Sequence, residues 1–114
     1  HNRDDHAKNF SFLMDEKGTW QVSPAYDLTF SSGPSGEHCS TIMGEGKHPS
    51  ITHLLKLAAV TSLKKQTALQ IIEEVKAATS KWKLFATEAG VHANSLKMIQ
   101  SALHRIEREN RGSL

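Results

Sequence analysis

One cysteine is too few for a disulfide. Cys39 stands alone in 114 residues, so packing and hydrogen bonds must hold the fold, and a reducing, cytoplasmic setting is the expectation. Net charge is scarce too. Fourteen basic residues against twelve acidic ones leave +2, which makes no case for a nucleic-acid surface. The cations of the second half, such as Lys64, Lys76, Lys83 and Arg108, interleave with acids and read as a solvated helix face. No apolar run approaches the ~20 residues of a membrane helix, and no secretory signal pattern opens the chain. Seven histidines are present, but none has HExxH spacing and no CxxC exists, so zinc is not expected. Aromatic residues are only 6% of the chain, and Trp20 and Trp82 are expected as core anchors.

Proline is missing from residues 51–110, and glycine appears there once, as Gly90, whereas residues 1–50 hold all three prolines and five of seven glycines. The first half therefore reads as strands and loops and the second as helices. "NFSFLM" (Asn9 to Met14), the turn signal "DEKG" and the alternating "TWQV" form an expected β-hairpin. From Ser31 to Pro49 runs a long loop in which only Cys39 to Met43 is apolar enough to be ordered by burial. Ser50 is the expected cap of a first helix carrying Ile51, Leu54, Leu55 and Ala58. A second helix is expected from near Ser62, with one apolar face from Ala68 through Ile71, Ile72, Val75, Ala78 and Trp82 to Phe85, stopped by Gly90. A third is expected from about His92 to Glu109. The fold class is α+β, mostly α: a short hairpin and long loop (residues 1–50), then a bundle of three or more helices (51–114), packed as one partial domain.

The chemistry concentrates in "NRDDHAKNF" (Asn2 to Phe10) and "PAYDL", which ends at Leu28. Asp4 and Asn9 lie five apart, and a hairpin can return the chain so that Asp27, eighteen residues after Asn9, arrives beside it. Two carboxylates and a carboxamide make an all-oxygen site of the kind Mg²⁺ takes, with phosphate oxygens and water completing the shell. The acid not engaged with metal can accept a proton from an attacking hydroxyl, which is the equipment of phosphoryl transfer. Protein kinases use the same spacing: Asn five residues after the catalytic Asp, then a metal-binding Asp beyond a hairpin. His6, two after Asp4, matches the D-x-H-x-x-N variant of the phosphoinositide-kinase-like branch.

"DDHAKNFSFL" followed by "GTWQVSPAYDL" resembles the HipA family, the kinase toxins of bacterial toxin–antitoxin pairs, which carry a D-x-H-x-K-N loop, a short hairpin and P-A-Y-D. "IMGEGKHPSITHLLKLA" is similar to that family's helical C-terminal region. The resemblance implies the lower part of a kinase-like C-lobe. It implies Asp4 as catalytic base toward a serine or threonine hydroxyl, Lys8 steadying the transferred phosphate, and Asn9 and Asp27 holding Mg²⁺ against the phosphates of ATP. His6 is expected to hold the loop backbone, and Asp5, one residue out of register, to matter less than Asp4. Tyr26 is expected to pack under the loop. The resemblance also implies a HipB-like antitoxin as partner, a translation-related protein substrate such as an aminoacyl-tRNA synthetase, contact with DNA only through the antitoxin, and no membrane.

The family's Gly-rich phosphate loop, strand lysine and partner glutamate precede this motif and are not among these 114 residues, which begin at His1 rather than Met. The expectation is a C-terminal portion that does not turn over ATP by itself. The competing reading is a catalytically inactive remnant whose helices bind an antitoxin or another partner.

Overall fold

A computed structural model describes residues 1–111. The chain is mostly helical with one short antiparallel hairpin, as its sequence pattern implies. It divides into two compact units, His1–Thr41 and Ile42–Leu114.

The first unit is built around the hairpin of β1 (Phe12–Met14) and β2 (Trp20–Val22). Phe12 pairs with Val22, Leu13 with Gln21 and Met14 with Trp20, and Ser23 N–H to Ser11 C=O carries the pairing one step further at 2.9 Å. Asp15 organises the turn. Its Oδ1 accepts from the Lys17 and Thr19 amides at 2.9 and 2.8 Å, and Gly18 takes the φ of +82° that the turn requires. Both faces of the strands are exposed, and Trp20, expected in a core, is 65% exposed. Three-residue strands present too little surface to bury an indole, and no second layer covers them within this unit.

The second unit holds four helices: α1 (Ile51–Val60), α2 (Lys65–Thr79), α3 (Trp82–Glu88) and α4 (Ala93–Asn110). Ser50 and His53 form the capping box of α1. Ser62 is not the start of the second helix, as its residue type suggests, but the end of the first. At φ +58° it is the left-handed residue of a Schellman motif, with Leu63 N–H bonded to Ala58 C=O and Ser62 N–H to Ala59 C=O. Gly90 ends α3 in the same way, through Val91 N–H to Ala86 C=O and Gly90 N–H to Thr87 C=O.

The single helix expected from Ser62 to Gly90 is divided at Ser80 and Lys81. The Thr79 hydroxyl bonds back to Val75 C=O at 3.0 Å and the Ser80 hydroxyl to Ala77 C=O at 2.8 Å, while Lys81 N–H takes Ala78 C=O three residues back. Hydroxyls competing for helix carbonyls and a tightened last turn end the helix. The break lets α3 turn onto α4, where the Trp82 indole N–H reaches Leu96 C=O at 3.4 Å.

Among the described helical residues those buried are Ile51, Ala58, Ala68 and Ala86, so the helices approach mostly through small side chains. α1 packs on α2, and α3 on α4. The larger apolar residues do not close over one another. Leu54, Ile71, Ile72, Val75, Trp82, Leu103 and Ile106 instead line an open cavity of about 560 Å³. Asn110 spans one end of it, accepting from Ile51 N–H at 3.1 Å and donating to Ile106 C=O at 2.9 Å. The last residue of α4 thereby satisfies an amide at the start of α1 that has no partner within its own helix. Among the described residues no helix is long and apolar enough to cross a membrane.

Candidate active site

The loop of Asp4 is short and closely tied. Ala7–Asn9 forms a single 3-10 turn, closed by Asn9 N–H to His6 C=O at 3.0 Å. His6 thus supports the backbone through its carbonyl, whereas its Nδ1 is buried without a hydrogen-bond partner. The turn lifts Asn9 off the line of β1, so its carboxamide faces the returning chain. Nδ2 of Asn9 donates to Oδ2 of Asp27 at 2.9 Å.

The hairpin register alone would not make that contact. Ser11 opposite Ser23 extends to Asn9 opposite Ala25, two residues short of Asp27. Two devices supply the difference. The Tyr26 hydroxyl donates to Lys8 C=O at 2.7 Å and shares a 2.6 Å bond with the Ser11 hydroxyl, drawing the 24–28 segment onto the loop. Asp27 then takes φ +53°, a left-handed conformation costly for a side chain with Cβ and tolerated best by Asp and Asn. Such strain at a chemically loaded residue is characteristic of functional sites.

Because a carboxylate only accepts, the Asn9 nitrogen must be the end that faces Asp27. The Oδ1 of Asn9 is left buried with no partner. An orphaned carboxamide oxygen and a nearby carboxylate are the donor types that Mg²⁺ takes, one or two protein oxygens with water and phosphate in its remaining positions. Among the described residues no group of three His, Cys, Asp or Glu side chains is placed to hold a metal, so a dedicated protein cage is not what this site offers.

Asp4 is exposed on the same loop, and its Oδ1 accepts from the Cys39 thiol at 3.8 Å. Lys8 is exposed. The spacing brought Asn9 and Asp27 into contact as expected, whereas no direct hydrogen bond joins Asp4 to either of them among the described residues. The link runs through Asn2, which sequence reasoning passed over. Asn2 Oδ1 accepts from Asp4 N–H at 3.2 Å, and its Nδ2 donates to Asp27 C=O at 3.1 Å. Its place two residues before Asp4 was the available signal.

Asp5 ties a later segment to the loop. Its Oδ2 pairs with His38 Nδ1 at 2.9 Å, its Oδ1 accepts from Ser40 N–H at 3.1 Å, and its carbonyl accepts from the Ser40 hydroxyl. With Cys39 N–H on Arg3 C=O at 3.0 Å, these bonds hold the 38–40 segment against the loop. Burial pushes the Asp5 carboxyl up, but the Ser40 amide and His38 together outweigh it and hold it below the usual range. The segment is ordered by polar bonds, not by the apolar burial expected of Cys39 to Met43, both of which are exposed. Lost hydration and the neighbouring Asp4 and Asp5 carboxylates push the Cys39 thiol up.

The first unit is thus a two-stranded hairpin that brings a polar loop against an aspartate in the left-handed region. The family model of the HipA-like C-terminal domain matches residues 1–82, most of the chain, and the chain belongs to that family. The match takes in the loop, the hairpin, α1 and α2, and ends where α3 begins. No curated protein and no solved structure matches the chain.

Proposed function

We propose that this chain is the catalytic-loop and helical portion of a HipA-like serine/threonine protein kinase toxin, acting in the cytoplasm. The observation that carries the proposal is the Asn9–Asp27 contact at 2.9 Å, with a buried, unpartnered Asn9 oxygen beside the carboxylate. Family membership supports the same reading.

Asp4 is the general base. Its exposed carboxylate accepts the proton of a protein hydroxyl as that oxygen bonds to the γ-phosphorus of ATP and the bond to the β,γ-bridging oxygen breaks. Asn9 Oδ1 and the Asp27 carboxylate would hold Mg²⁺, which would supply neutralisation of charge on the phosphates of ATP. Lys8, exposed next to Asn9, steadies the transferred group. The protein substrate is of the translation class, with an aminoacyl-tRNA synthetase as its type, and phosphorylation arrests growth. A HipB-like antitoxin is the partner, and DNA is reached only through it.

A second reading has its own observation. The open apolar cavity among α1, α2 and α4 would suit a helical module that binds a partner without catalysis.

The test is γ-phosphate transfer by the whole protein that contains this segment. Wild type is compared with Asp4→Asn and Asp27→Asn, with Glu16→Gln on the hairpin turn as control. Asp5→Asn is unsuitable as a control because Asp5 holds the 38–40 segment. Transfer lost by at least about a hundredfold in the first two and kept in the control supports the kinase. An inactive wild type that still captures an antitoxin supports the binding module.

A further inference from the structure

Resting on the cation reading above, we infer that Asn2 is a positioning residue whose single carboxamide couples the backbone of the candidate base to the backbone of the candidate metal-binding acid. Its Oδ1 accepts from the amide of Asp4 at 3.2 Å, and its Nδ2 donates to the carbonyl of Asp27 at 3.1 Å, twenty-five residues away. The amide orientation is determined by these partners. Turning it over would set oxygen against the Asp27 carbonyl and N–H against the Asp4 N–H.

The residue type follows from the task. One side chain must accept at one end and donate at the other. Aspartate has no donor, alanine and leucine have neither, and serine cannot make both bonds from a single oxygen at this span. Asn2 also acts from a fixed base. It forms a parallel bridge with Ser31, flanked by Arg3 N–H to Ser31 C=O and Ser31 N–H to His1 C=O, both at 3.0 Å.

The bond to Asp27 falls where the backbone needs it. Asp27 sits at φ +53°, and its carbonyl accepts from both Asn2 and Thr29 N–H, the latter at 3.1 Å. Two donors on that carbonyl hold a conformation that a lone aspartate would leave for a more populated region. The Asn9 contact acts on the carboxylate of the same residue. Asp27 is therefore held at main chain and side chain by two different asparagines, and the one on its main chain also holds Asp4. A change at Asn2 must alter the cation pair without removing either of its ligands.

The experiment uses this chain, with Mn²⁺ as the probe and ¹H–¹⁵N spectra as the readout. In wild type, Mn²⁺ broadens the signals of Asn9 and Asp27, and Asp27→Asn abolishes this. Asn2→Ala is expected to weaken Mn²⁺ binding about tenfold, with the amide signals of Leu13 and Gln21 in the hairpin unmoved. The metal-free spectra separate the two bonds. Asn2→Asp keeps the acceptor and loses the donor, so the Asp4 amide stays near its wild-type position while those of Asp27 and Thr29 move. A general loss of structure would not produce that split. Wild-type Mn²⁺ affinity in Asn2→Ala, or Asp4, Asp27 and Thr29 amides that ignore both variants, overturns the inference. Absence of Mn²⁺ binding in wild type overturns the cation reading instead, and the bridge is then judged by the metal-free amides alone.

Discussion

The carboxamide of Asn9 and the carboxylate of Asp27, eighteen positions apart in sequence, meet at 2.9 Å. The bond leaves Oδ1 of Asn9 buried and unpartnered, a cost that a cation would relieve. Replacing Asn9 by aspartate sets two carboxylates at this distance. Asn9→Asp is expected to lower the melting temperature in chelator, through like-charge repulsion, and to recover it in millimolar Mg²⁺. Thermal denaturation with and without the ion checks both halves, and an Mg²⁺-insensitive variant would remove this pair as a cation site.

The left-handed backbone of Asp27 separates stability from function. Asp27→Gly relieves the φ of +53° and should leave the fold within about 1 kcal/mol of wild type, whereas Asp27→Ala, with its Cβ and no carboxylate, should cost about 1 kcal/mol or more. Both should abolish phosphotransfer. Denaturant unfolding, combined with the transfer assay, distinguishes the two contributions.

Tyr26→Phe removes the hydroxyl that joins Lys8 C=O and Ser11. The expected loss is about 1 kcal/mol of stability. The Asn9 and Asp27 amide signals should broaden as the 24–28 segment loosens, while the hairpin turn at Asp15 keeps its spectrum.

The 38–40 segment is tied to a carboxyl whose folded pKa lies below its ordinary 3.8. A depressed carboxyl stabilises the folded state fully above its unfolded value and loses that contribution as pH falls through the folded one. The protection factor of the Ser40 amide should therefore stay high from neutral pH down to about pH 4 and fall below it, and in Asp5→Ala it should be low throughout. A protection factor that is indifferent to pH in this range would show that the Asp5 bonds do not hold the segment.

The helix ends of the second unit make an independent prediction. Ser62 occupies a position where glycine is favoured, at φ +58°. Ser62→Gly should stabilise the chain by about 0.5–1 kcal/mol. Asn110→Ala should cost about 1 kcal/mol, since it strips the α1 amide of its partner. Thermal melts of the two variants should move in opposite directions.

Composition and spacing determine a good deal of this molecule. The confinement of proline and the concentration of glycine in the first half separate hairpin from helices, Ser50 and Gly90 mark a helix start and a helix stop, and the D-x-H-x-K-N loop with P-A-Y-D locates the Asn9–Asp27 contact. These are local signals, carried by residue types with strong backbone preferences. Tertiary structure decided the rest. Ser62 reads as a helix cap, but as a left-handed terminator it closes the preceding helix, because Leu63 and Ser62 find carbonyls in α1. The apolar stripe from Ala68 to Phe85 looks continuous, yet side-chain hydroxyls at Thr79 and Ser80 divide it. Asp5 looks redundant beside Asp4 until His38 and Ser40, more than thirty residues on, bond to it. Asn2 announces only the nearer half of its role, an acceptor two residues before Asp4. Its importance rests on a donor and an acceptor meeting two partners, one of them twenty-five residues distant, and pairing at that range is set by how the chain folds back on itself.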